Sequence, residues 1–179
     1  MTTIAVIAAG AGGVETLRSG LIEPLLAEGH TVAITLTPTA GEWLRALGEV
    51  TRLEALTGLS VRDRSRLPGE PSPHPLIDVY VAAPMTANST AKVALGIADN
   101  QAVTVLNENI GRDAPMILFP RVNAAHARHP AWSSHLARLR SAGVELVYGD
   151  HVWPLAEPRT AGERELPWAA ILSAIKQHC

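Results

Sequence analysis

Residues 3–13 are TIAVIAAGAGG, an almost continuous apolar run followed directly by glycines. Such a run is typical of a strand covered on both faces, and the glycines allow a sharp turn into a helix. Leucines at helical spacing follow at Leu17, Leu21 and Leu25, and Gly29 ends the pattern. Pro24 lies inside this pattern and predicts a kink or a late helix start. The order of strand, glycine turn and helix predicts a βα unit of a parallel sheet.

The same alternation of short apolar runs and helical patterns continues along the chain, which predicts an α/β fold with a mostly parallel sheet. We expect a single domain over residues 1–179, with an irregular, flap-like segment at about 149–167, which is rich in Pro, Gly and charge. Further strands are predicted at 31–36, 77–83, 116–119 and 144–148, and helices around 43–47, 53–56, 88–97, 132–142 and 168–177.

Composition narrows the function classes. Apolar residues make up 47% and charged residues 18%, as in a globular protein, and the net charge of -2 gives no basic field for nucleic acid. Aromatic residues make up only 4%, so bases have few stacking platforms. Cys179 is the only cysteine, which excludes an internal disulfide. No basic residue precedes Arg18 and no run is long enough to span a membrane, so we expect a cytoplasmic protein without a membrane or nucleic-acid partner.

Small and polar residues follow four of the predicted strands, at the edge where open parallel sheets bind ligands. They are the glycines from Gly10, the hydroxyls from Thr37, the segment 84–90 and the segment 120–123. Turn and capping chemistry alone accounts for each loop taken singly. Together they favour an anion site, because helix N-termini with free N–H groups bind phosphates.

The glycine loop favours a mononucleotide over a dinucleotide. It lacks the third glycine of G-x-G-x-x-G, and no acidic residue closes the second strand, so NAD is disfavoured. FMN needs one phosphate cradle and amide-like groups at the edge of its ring. Asn88 offers both donor and acceptor atoms for such a ring.

Two motifs resemble those of the homo-oligomeric flavin-containing cysteine decarboxylases, which include phosphopantothenoylcysteine and lantibiotic peptidyl-cysteine decarboxylases. PMTANSTAKVALGIADN at 84–100 is similar to the family's PASANT block and the helix after it. PRVNAAHARHP at 120–130 is similar to its P-x-M-N-x-x-M-W-x-x-P motif, with Val122, His126 and Ala127 in place of Met, Met and Trp. The chain therefore resembles this family from about residue 4 to residue 148.

The resemblance implies a Rossmann-like, three-layer α/β/α, flavodoxin-like fold, assembled in homo-trimers or dodecamers of trimers with FMN between subunits. It also implies an oxidative decarboxylase, which acts on a small molecule or a peptide ending in cysteine. The flavin oxidises the thiol side chain, and the carboxylate leaves as CO2. Asn123 would position the substrate carboxylate, with Arg121 and His126 beside the substrate. The FMN-binding positions are Gly10, Ala11, Thr37, Thr39, Pro84, Met85, Thr86, Asn88 and Ser89.

The position of the catalytic base departs from the family's pattern. The family places its histidine fourteen residues before the first Pro of the PASANT block, where this chain has Glu70, and His74 stands ten residues before it. A shift of four residues in a Pro-rich loop would bring His74 to the site, and an imidazole suits general-base work. We expect His74 as the base, with an exposed loop histidine and Glu70 as the alternatives.

Three other interpretations are weighed against this one. A metal site at His126, His129 and His135 is disfavoured, because no acidic residue or cysteine is close and Pro130 breaks the register. An FMN-binding regulator that lost the base, like the related halotolerance phosphatase regulators, stays open. A flavin prenyltransferase would use Arg121 for a prenyl phosphate, but Asn123 and the absence of an S-G-x-R stretch speak against it.

Overall fold

The computed structural model describes residues 1–160, 162 and 164–179. Five strands form one parallel sheet in the order β2-β1-β3-β4-β5, the strand order of doubly wound flavodoxin-like folds. This confirms the predicted fold class. The strands are β1 (Thr3–Ala8), β2 (Thr31–Leu36), β3 (Val79–Met85), β4 (Met116–Pro120) and β5 (Glu145–Leu146).

Helices cover both faces of the sheet, because successive side chains of each central strand point to opposite sides. Ile4 and Val6 of β1 pack under one helical layer, and Ala5 and Ile7 pack under the other. The helices are α1 (Glu23–Ala27), α2 (Pro38–Ala46), α3 (Glu49–Thr57), α4 (Ala87–Leu95), α5 (Gln101–Ile110), α6 (Ala124–Ala127), α7 (Trp132–Ser141) and α8 (Trp168–Ile175).

The glycine turn leads into a helical segment that changes type along its length. A 3₁₀ turn at Val14–Thr16 and a π-helical stretch at Arg18–Ile22 precede α1. Pro24 therefore lies in the first turn of α1, directly after the π-helical stretch. Gly20 allows the π-helical stretch to approach α8, since a Cβ there would lie 2.2 Å from the Trp168 ring.

Three elements differ from those predicted from the sequence. The helices α5 and α6 were not predicted, and β5 was predicted with five residues, of which only two pair with β4. The Asn100 side chain accepts hydrogen bonds from Ala102 N (3.1 Å) and Val103 N (3.3 Å) and so caps the start of α5.

The described part of the 149–167 segment packs across the carboxyl ends of the strands; residues 161 and 163 of the predicted flap lie outside the described residues. The Trp153 ring meets Phe119 edge-on at 5.9 Å and donates to Val122 O over 3.3 Å. Leu166 lies over Gly13, where a Cβ would approach it to 2.6 Å. This segment therefore borders the edge of the sheet where ligands were expected.

Candidate functional site

A cleft of about 370 Å³ lies at the carboxyl ends of β1, β2 and β3, and we call it the strand-end cleft. Parallel strands end at one edge, so the three turns that follow them converge there. Six of the nine predicted FMN-binding residues line this cleft, namely Gly10, Thr37, Thr39, Thr86, Asn88 and Ser89.

Thr37 follows β2, lines one side of the cleft and is the N-cap residue of α2. Its hydroxyl oxygen accepts a hydrogen bond from Ala40 N at 3.4 Å, and its own N–H donates to Ala8 O at 2.9 Å. Pro38 follows at the first helical position, where proline is favoured. The first turn of α2 thus borders the cleft with its free N–H groups and the exposed side chain of Thr39.

Thr86 follows β3, lines another side of the cleft and is the N-cap residue of α4. Its hydroxyl oxygen accepts from Ser89 N at 3.1 Å and donates to Ser89 Oγ at 3.1 Å, which caps α4. Ser89 is buried, whereas Asn88 is exposed at the cleft. Within the described residues the Asn88 amide makes no hydrogen bond, so both its donor and its acceptor face outward for a ligand.

Three predicted positions support the cleft without lining it. Ala11, Pro84 and Met85 are all buried. Ala9 N donates to Pro84 O at 2.8 Å, and Arg121 N donates to Met85 O at 2.8 Å. These bonds tie the β1 and β4 ends to β3, so the two residues fix the spacing of the loops.

Lys92 lines the cleft and was missed by the sequence analysis. It lies one turn after Asn88 on the same face of α4, and its ammonium pairs with Asp99. The i, i+4 spacing from Asn88 was the signal that could have found it. Lys92 supplies the cationic group of the cleft.

A second and larger cavity, of about 790 Å³, adjoins the glycine turn, and we call it the glycine-loop cavity. Arg121 lines it, and the Nε atom of this guanidinium is buried without a hydrogen-bond partner among the described residues. Its Nη2 lies 3.3 Å from where a Gly12 Cβ would stand, and its Cζ lies 5.7 Å from the Trp153 ring centroid. Arg164 stacks on the same ring at 3.8 Å.

Asn123 and His126 belong to the start of α6 and line neither the strand-end cleft nor the glycine-loop cavity. The Asn123 Oδ1 accepts from His126 N at 2.9 Å and caps α6. That contact orients the Asn123 side chain and leaves its NH₂ group for another acceptor. The His126 imidazole is exposed.

His74 lines a third cavity, of about 280 Å³, which we call the His74 cavity. Its Nε2 lies 2.8 Å from Ser60 O, and because a carbonyl only accepts, Nε2 carries the proton. Burial lowers the pKa of His74, the Ser60 bond opposes this, and the charge of Arg62 lowers the pKa further. The imidazole is therefore neutral at pH 7, with Nδ1 as its basic atom. Glu70 is exposed and accepts from Leu67 N at 2.8 Å.

Within one chain, the structure does not bring His74 to the strand-end cleft. The cavity of His74 lies over the sheet face that carries Ala5 and Tyr80, beside α5. The described residues include no group of three His, Cys, Asp or Glu side chains that could hold a metal ion. In that same part of the chain, no helix is both long and apolar enough to cross a bilayer.

A family model described as Flavoprotein matches residues 1–179. Among curated proteins, a cysteine/cysteine sulfinic acid decarboxylase from an unknown prokaryotic organism is 34% identical over 70 residues, or 39% of this chain. A phosphopantothenoylcysteine decarboxylase of Oryza sativa subsp. japonica is 33% identical over 70 residues, again 39% of this chain. The matches span only 19% and 31% of the lengths of these two relatives.

The fold is also similar to a solved structure, the FMN-dependent cysteine decarboxylase TvaF from thioviridamide biosynthesis. The match has a TM-score of 0.68 and 25% sequence identity, and it covers 84% of this chain and 92% of that one.

Proposed function

The chain belongs to the Flavoprotein family, and on this premise we propose that it binds FMN and decarboxylates a cysteine-like carboxylate, such as the C-terminal cysteine of a peptide. The observation that carries the proposal is the strand-end cleft, where three βα turns place polar residues around one space. The similarity to cysteine and phosphopantothenoylcysteine decarboxylases supports the reaction class.

The residues of the strand-end cleft fit FMN. The first turns of α2 and α4 both border it, and the hydroxyls of Thr39 and Ser89 and the ammonium of Lys92 add donors for a phosphate. Gly10 leaves room in the cleft beside Thr39, because a Cβ at position 10 would stand only 2.7 Å from Thr39 Cγ2. A volume of about 370 Å³ is in the range of small-molecule sites, and Asn88 faces outward for the edge of a ring.

The substrate would lie beside the cofactor, towards the glycine-loop cavity. Bound FMN supplies the oxidation of the thiol side chain that allows the carboxylate to leave as CO2. The NH₂ group of Asn123, whose Oδ1 is held by the α6 cap, would donate to that carboxylate. Arg121 and the exposed His126 would contact the rest of the substrate, since Arg121 faces a cavity large enough for a short peptide end.

His74 would be the general base. Its Nε2–H is used by Ser60, so the basic Nδ1 of the neutral ring is the atom that would take a proton. Because His74 lies at another cavity of the same chain, we propose that it serves the cleft of a second copy in a homo-oligomer such as a trimer. Mixed oligomers of H74Q and N123D subunits should then regain activity that neither variant has alone.

The test is an assay of the purified, FMN-loaded protein with a peptide ending in cysteine, followed by mass spectrometry. We expect loss of CO2 and two hydrogens, and no change of the matched peptide ending in serine. Asn123→Asp keeps a cap acceptor for α6 but repels the substrate carboxylate, so the rate should fall about 100-fold with FMN still bound. Failure to take up FMN would overturn the proposal.

A regulatory FMN-binding protein is the second candidate, and the separation of His74 from the strand-end cleft favours it. In that case the protein takes up FMN but releases no CO2 from any cysteine-terminated peptide. Asn123→Asp then changes neither the FMN content nor the mass of the peptide. The same assay therefore separates the two functions.

A further inference from the structure

The backbone at Arg62 is fixed at the edge of the sheet. Arg62 N donates to Ile34 O at 3.0 Å, and Leu36 N donates to Arg62 O at 2.6 Å. These bonds make a one-residue parallel bridge between Thr35 and Arg62, outside the regular strands. The backbone of this loop arginine is thus held like that of a strand residue. Its side chain borders both the His74 cavity and a larger cavity of about 630 Å³ that is also lined by Glu54, Asp63 and Glu70.

That side chain lines the His74 cavity and has no anionic partner there. No carboxylate of the described residues lies within 4.0 Å of the Arg62 guanidinium, and its nitrogens make no hydrogen bond in the part of the chain that the structure describes. The adjacent Asp63 is taken by Arg45, at 2.5 Å. Burial lowers the pKa of Arg62, and the charge of Arg66 lowers it further. A partly buried cation without a counter-ion is a favourable place for an anion to bind.

The walls of the cavity suit an anion of modest size. Tyr80 and Asn109 are buried, and burial raises the pKa of the Tyr80 hydroxyl, which therefore stays a donor. Asn109 Nδ2 donates to Val105 O at 2.8 Å, which fixes that side chain. The charged groups that face the cavity are Arg62, Arg112 and Glu108, so with a neutral His74 the lining carries a net positive charge.

We propose that the His74 cavity binds the carboxylate or phosphate group of a small molecule through the guanidinium of Arg62. The volume of about 280 Å³ admits a small anion or the end of a larger ligand, but not a whole flavin nucleotide. Tyr80 and Arg112 are the further donors in reach of the cavity. This site goes beyond the proposed decarboxylation: it shares His74 with the proposed machinery, but anion binding at Arg62 is measured without any turnover, so the two proposals can fail separately.

The test uses the NMR signals of the His74 imidazole in the FMN-loaded protein, assigned with His74→Gln. Inorganic phosphate and succinate are titrated separately, at an ionic strength held constant with sodium chloride. Binding neutralises the charge of Arg62, so each anion that binds should shift the His74 resonances saturably and raise the pKa of His74. The tighter of the two probes identifies phosphate or carboxylate as the preferred group.

Arg62→Gln should weaken this binding about tenfold or more, because it removes a charge-assisted contact. Arg62→Lys keeps the charge and should retain part of the affinity. Arg64→Gln is the matched control, since Arg64 belongs to the same loop but does not line the His74 cavity. Thermal unfolding checks that each variant is folded. The proposal is overturned if neither probe gives a saturable shift, or if R62Q and R64Q weaken binding equally.

Discussion

The strand-end cleft and the His74 cavity are built in different ways. Residues of the cleft stand on regular elements, where Thr37 and Thr86 each cap the helix that follows their strand. The residues of the His74 cavity come partly from the long loop between α3 and β3, and one backbone bridge at Thr35 fixes Arg62 to the sheet. The first is built from helix N-termini at the edge of an α/β sheet, and the second depends on the course of one loop.

The strand-end cleft and the His74 cavity also differ in the chemical groups that they contain, which suit ligand binding in the first and proton transfer in the second. The cleft gathers hydroxyls, an amide and the ammonium of Lys92, which are all hydrogen-bond donors for an anionic ligand. The His74 cavity contains an imidazole, the type of side chain that suits proton transfer near neutral pH. A protein with both tasks should therefore lose them independently when one region is changed.

His74→Gln should have the largest effect among the variants that test whether the cleft and the His74 cavity act independently. Removal of a general base typically costs about 100- to 10,000-fold in rate, so the turnover of a cysteine-terminated peptide should fall by that order. FMN affinity should stay unchanged, since the residues proposed to hold the cofactor belong to the strand-end cleft and His74 would act on the substrate. The measurements are the rate of CO2 release and the dissociation constant for FMN.

His151→Gln is the control for that experiment, because His151 is exposed and lines none of the three cavities. It should leave both quantities unchanged. If His74→Gln proves fully active, the assignment of the base is wrong, and Glu70 becomes the residue to replace next.

The cleft could be predicted from the sequence because its physics is local. The strand β2 was predicted with its observed bounds, and six predicted FMN-binding positions line one space. A hydroxyl residue after an apolar run predicts a cap, and parallel strands bring their ends together. Lys92 follows from the same helix, once the i, i+4 spacing is applied to the residues after Asn88.

The His74 cavity could not be predicted, because it depends on contacts between distant residues. The bridge from Thr35 to Arg62 has no periodic signal, and α5, which forms a wall, was missed. Its last turn holds Asn107, Glu108 and Asn109, of which only Asn109 is buried. A polar residue turned inward weakens the apolar stripe by which helices are recognised.

Thr86→Val is a smaller test, and it acts on the cleft alone. The change removes the oxygen that accepts from Ser89 N, so it should lower the free energy of unfolding by about 1 kcal/mol. It should also weaken FMN binding about tenfold, because the first turn of α4 loses its fixed position. Chemical denaturation and a flavin titration measure the two effects.

Thr57→Val is the matched control for Thr86→Val. The Thr57 hydroxyl donates to Leu53 O at 2.9 Å in α3, away from the cleft, so this variant loses stability without losing FMN affinity. Equal weakening of FMN binding in both variants would show that the cap acts only through overall stability.

The smallest expected effect is the contribution of His74 to the pH dependence of the unfolding free energy. Burial holds the pKa of folded His74 below the value of about 6.5 for an unfolded chain. Between the two values the unfolded state binds more protons, so the contribution of His74 is fully present above about pH 6.5 and is lost as the pH falls through the folded value. The difference in unfolding free energy between the wild type and His74→Gln should therefore shrink on acidification, whereas FMN affinity in the cleft keeps the same pH profile in both proteins. A difference that grows towards low pH would mean that an acidic partner, not burial, sets the charge state of His74.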